Sequence, residues 1–69
     1  MDKGAFLMAV AELGLLEYVS EIRTYETTIE AVHKGVGVIA WARLTDERSS
    51  PVIVMRRALR VIKTKVKRS

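Results

Sequence analysis

The sequence predicts a mainly α, small helical protein, and three observations carry that prediction. Residues 3–22 are dominated by Ala, Leu and Met, which are strong helix formers. Tyr25, Ile29, Val32, Val36 and Ile39 recur at alternating spacings of four and three, which is a heptad-like seam. From Ser50 to Arg68 the chain holds seven basic residues and no acidic one, while Val52, Met55, Leu59, Ile62 and Val66 fall on one helical stripe.

The first helix is expected over residues 3–22. Phe6, Val10, Leu13, Leu16 and Ser20 give one stripe, and Leu7, Ala11, Leu15, Val19 and Ile22 give a second. A helix that is apolar nearly all round must be enclosed by neighbours. A 69-residue chain offers few, so this helix is read as a signal for self-assembly. Gly4, Ala5, Ala9, Ala11 and Gly14 are small enough for other helices to approach closely.

A break is expected at Arg23–Thr24, with Thr24 capping a second helix and Glu26 near its positive end. The seam crosses Gly35 and Gly37, each of which costs about 1 kcal/mol inside a helix. An alternative is a helix–β-hairpin–helix, with the hairpin within residues 36–55. Val36, Val38, Ala40, Ala42 and Leu44 alternate with a period of two, and VIVM at 52–55 would be the partner strand. Residues 45–50 (TDERSS) form a polar loop. The last helix opens at Ser50 as cap and Pro51 in the first turn.

Composition bounds the function. Residues 1–69 make a single small domain, and a domain of this size needs disulfides, a metal or oligomerisation for support. Cysteine is absent and His33 is the single histidine, so disulfides, thiolate metal sites and an imidazole-rich zinc site are excluded within one chain. The domain is therefore expected to be stable chiefly in a homo-oligomer. Asn and Gln are absent as well, a composition in line with a thermophilic source. The Gly4–Leu16 run is shorter than the roughly 20 residues of a membrane span, and no signal peptide is expected.

No enzymatic constellation emerges. His33 has no positioned Ser or carboxylate pattern around it, and Gly35-x-Gly37 lacks the rest of a phosphate-loop fingerprint. No catalytic residue, metal, cofactor or small-molecule substrate is assigned. A match between residues 3–13 and 34–44, identical at five of eleven positions, reads as coincidence rather than a repeat.

Charge is divided along the chain. Residues 1–33 carry two basic residues against six acidic ones, and residues 34–69 carry ten against two. Arg56, Arg57, Arg60, Lys63, Lys65, Lys67 and Arg68 are the candidate nucleic-acid-binding residues, since such a face neutralises phosphates and releases counterions. Double-stranded DNA is the expected partner. Charge pairing with the acidic half of another copy and an anionic membrane surface are the other outlets, the membrane being the least favoured. Phe6, Val10, Leu13, Leu16, Trp41, Met55 and Leu59 are the candidate subunit-interface residues.

The order of acidic front, small-residue apolar middle and basic tail resembles the coat proteins of filamentous and rod-shaped viruses. With the thermophile composition, it looks like the helical major capsid protein of a rod-shaped or bacilliform archaeal virus. That resemblance implies a virion structural protein that self-assembles, with the basic tail against the genome. The alternative is a small archaeal chromatin or regulatory DNA-binding protein, dimeric, cytoplasmic and nucleoid-associated.

Overall fold

The computed structural model describes residues 1–66 and shows an α+β domain. Helix α1 (Lys3–Glu12) leads through a 3-10 turn at Leu16–Tyr18 into strands β1 (Glu21–Thr24), β2 (Thr28–His33) and β3 (Gly37–Arg43); helix α2 (Pro51–Val61) follows, extended by a π-type turn over Ile62–Val66. The strands form an antiparallel sheet in the order β1-β2-β3.

The mainly α expectation is therefore wrong. Residues 3–22 are not one helix: α1 stops at Glu12, and Gly14 takes φ +72°, a left-handed conformation that glycine adopts without steric penalty. The heptad-like seam of residues 25–39 is a β-hairpin, not a second helix. The hairpin alternative placed β3 on a strand, but with the wrong partner: β3 pairs with β2, whereas residues 52–55 lie in α2. A Pro51 start supports that helix, because the missing N–H falls where no intrahelical acceptor exists. Ser50 sits at the N-cap without a side-chain cap bond. The two similar segments 3–13 and 34–44 adopt different structures, helix and strand.

Gly37, with φ +97°, closes the β2–β3 turn. His33 completes that turn: its Nδ1 accepts hydrogen bonds from the backbone N–H of Gly35 (2.9 Å) and Val36 (3.2 Å). The imidazole thereby satisfies donors that a tight turn leaves unpaired.

The helices pack on one face of the sheet. The core joins Phe6, Ala9 and Val10 of α1, Leu15, the sheet residues Ile29, Ala31, Ala40 and Ala42, and Met55, Ala58 and Ile62 of the C-terminal segment. Phe6, Leu15, Ile29, Met55, Ile62 and Val10 are fully buried, and each contributes about 1.5–3 kcal/mol relative to an exposed side chain. The small side chains Ala31, Ala40 and Ala42 leave room for the larger ones of the helical layer. The register shifts between Ala31 and Val32, so that Val38 faces Val32 and Ile39 is the extra residue. This bulge lets the consecutive residues Ile39 and Ala40 both be buried.

Among the described residues no helix covers the opposite face of the sheet. Across it run the rows Arg23–Glu30–Trp41 and Glu21–Val32–Val38. Trp41 is 57% exposed and Val38 42% exposed there.

Candidate nucleic-acid interface

Helix α2 separates apolar and basic side chains by its own periodicity. Met55, Ala58 and Ile62 lie three and four apart and turn into the core. Arg56, Arg57 and Arg60 stand exposed on the helix, and Lys63 and Lys65 continue the exposed series in the π-type turn. Lys67 and Arg68 lie outside the described residues. Arg23 with Glu21, at 2.9 Å, is the single salt bridge among the described residues. Glu21 thereby raises the Arg23 pKa further above its ordinary value, by hydrogen bond and then by charge. The five cations of the C-terminal segment thus have no carboxylate within ion-pair distance among the described residues.

The α2 entry is built by Asp46. Its Oδ2 accepts the Ser49 hydroxyl at 2.9 Å, and its Oδ1 accepts the Arg48 backbone N–H at 3.0 Å. These bonds, the Ser49 hydroxyl first, hold the Asp46 carboxyl below its ordinary pKa. A folded-state pKa below the unfolded one stabilises above the unfolded value, and the contribution is lost as pH falls through the folded value. Ser49→Ala is expected to move the Asp46 pKa back up, as read by NMR titration of its carboxyl carbon. An unchanged titration would mean that the hydroxyl does not hold the loop.

The structure divides the predicted interface residues. Phe6, Val10 and Met55 are fully buried inside the chain's own core, and Leu13 and Leu59 are packed against it. The sheet, unforeseen as such, supplies the covering layer that the all-helical reading sought from other copies. Leu16 (63% exposed) and Trp41 remain on the surface. The exposed row along α1 is Gly4, Leu7, Met8 and Ala11; sequence reasoning singles out Gly4, Leu7 and Ala11 but assigns none of them to the interface, and it misses Met8. The i, i+3, i+4, i+7 spacing of the row was available as the signal.

A groove of about 530 Å³ runs along β3 beside α2, lined by Val38–Arg43, Asp46, Ser49, Val54, Arg57 and Val61. Its floor is apolar and its rim holds both charge signs. Among the described residues no group of three or more His, Asp or Glu side chains could hold a metal, and no helix is long and apolar enough to cross a membrane. No protein-family model matches the chain, and neither a curated protein nor a solved structure shows similarity to it.

Proposed function

We propose that this protein is a structural, self-assembling subunit of the virion-coat type, which lays the basic face of α2 and its extension along double-stranded DNA. The observation that carries the reading is the separation of three surfaces. The exposed cations Arg56, Arg60 and Lys63, four and three apart, form one, the α1 row with Leu7 and Met8 a second, and the open sheet face with Val38 and Trp41 a third. A closed dimer satisfies one self-complementary patch, whereas two apolar patches on different layers favour a multimer. Arg56, Arg60 and Lys63, on one flank of α2 and without a carboxylate in ion-pair distance among the described residues, suit phosphates, which need charge and reach rather than base-edge geometry.

A second reading, a dimeric chromatin or regulatory DNA-binding protein, is favoured by the core. Among the described residues thirteen buried side chains form one cluster within a single chain, so extended assembly is not required to bury them. Sedimentation with and without double-stranded DNA, at low and high salt, with electron microscopy of the pellet, separates the two. Rods or tubes with salt-dependent DNA uptake are expected for the coat reading. A discrete complex of finite site size supports the dimer, and absence of DNA binding at low salt removes both.

A further inference from the structure

Arg57 stands apart from the other cations of α2. Arg56, Arg60 and Lys63 follow one another four and three apart, whereas Arg57 lies three from Val54 and four from Val61, so those three share a different flank. That flank forms one wall of the groove of about 530 Å³, and β3 forms the other. A volume of this size falls within the range of small-molecule sites, about 300–1,000 Å³.

The groove brings together groups that are far apart in the sequence. Val38, Ile39, Ala40, Val54 and Val61 supply its apolar lining. Trp41 lines it too and is 57% exposed, so much of the indole is open to a partner. Arg43 comes from the end of β3 and Arg57 from α2, and both line the groove and are exposed. Neither has a carboxylate within ion-pair distance among the described residues. Asp46 is the acidic residue of the lining. Its carboxylate oxygens already accept the Arg48 backbone N–H and the Ser49 hydroxyl, so it belongs to the loop and is no counter-ion for either arginine.

Each feature selects a property of the ligand. An open indole stacks on a flat ring, and every nucleobase presents such a face. A guanidinium is a planar fork whose donors match phosphate oxygens in pairs. Two guanidiniums match the charge of a phosphate monoester, which approaches −2 at neutral pH. We propose that this groove binds a nucleotide, its base stacked on Trp41 and its phosphate held by Arg43 and Arg57. The site is independent of the self-assembly reading and of the duplex face on the other flank of α2. A base inside a duplex is paired and stacked on its neighbours, so the indole reaches only a free nucleotide or one in a single strand.

Trp41 is the sole tryptophan, so its emission reports on ring contact. Adenosine monophosphate, adenosine, inorganic phosphate and an alkyl phosphate are each titrated into the whole chain, followed by fluorescence and by calorimetry. Saturable quenching by adenosine monophosphate is expected, with adenosine and inorganic phosphate at least about tenfold weaker, since each lacks one of the two contacts. Arg57→Gln is expected to weaken binding about tenfold or more while keeping the melting temperature of the parent. Arg56→Gln, on the other flank, is expected to leave binding unchanged. A short single-stranded oligonucleotide that binds more tightly through Arg57 assigns the site to single strands, and equal or weaker affinity assigns it to free nucleotides. Absence of binding by adenosine monophosphate would overturn the proposal. So would binding that Arg57→Gln leaves intact, or an alkyl phosphate that binds as tightly, which would make the groove a site for aliphatic anions.

Discussion

Phe6→Ala is expected to abolish cooperative unfolding of the isolated domain, or to lower its melting temperature by tens of degrees. Phe6 is fully buried where α1 meets the sheet and α2. Truncating a buried phenylalanine costs about 3–5 kcal/mol, from lost transfer energy and the cavity left behind. A domain of this size holds only about 3–5 kcal/mol in all, so the loss is comparable to the whole. Met8→Ala is the matched control, two residues along α1 but 63% exposed, where a surface change stays within about 0.5 kcal/mol. Thermal melts by circular dichroism at several protein concentrations decide between core and interface roles. A core Phe6 destabilises equally at every concentration, and an interface Met8 acts only where copies associate. The reverse pattern, a tolerant Phe6 and a critical Met8 in the dilute chain, would show that α1 is packed the other way round.

Much of the C-terminal half was legible, because local chemistry there agrees with the tertiary structure. Pro51, the polar run before it and the three-four spacing of Met55 and Ile62 all indicate a helix, and a helix forms. The middle was misread because its apolar residues serve two faces. Ile29 turns into the core, whereas Val32 is buried on the other face between Glu21 and Val38. A strand buried in part on both sides loses its period of two. The bulge then advances Ile39 by one position, which completes an accidental heptad spacing with Tyr25, Ile29, Val32 and Val36. Gly35 and Gly37 were the countersignal, and Gly37 does take a conformation that a helix excludes. The basic half of the candidate site was readable from composition and period alone. Its groove was not, because that groove joins β3 to Asp46 and to one flank of α2, which only the fold brings together.

Reversing Arg56, Arg60 and Lys63 to Glu tests the basic face where its geometry is cleanest. All three are exposed and turned away from Met55, Ala58 and Ile62, so the core stripe is untouched and the fold is expected to persist. Each phosphate contact contributes about 0.9 to the slope of log K against log salt on double-stranded DNA. Three lost contacts lower the slope by roughly 3, and the introduced carboxylates add repulsion. Affinity at low salt is expected to fall on the order of 100-fold or more, measured by fluorescence anisotropy across a salt series. Reversing Lys34 instead, at the far end of β3, leaves the slope close to that of the parent. If the triple variant binds with unchanged slope, α2 is not the DNA face. If the slope falls while the assembled state persists without DNA, genome contact and subunit contact reside on separate surfaces. That separation is what a coat subunit needs, because its neighbours must hold it in register while its cations track a continuous line of phosphates.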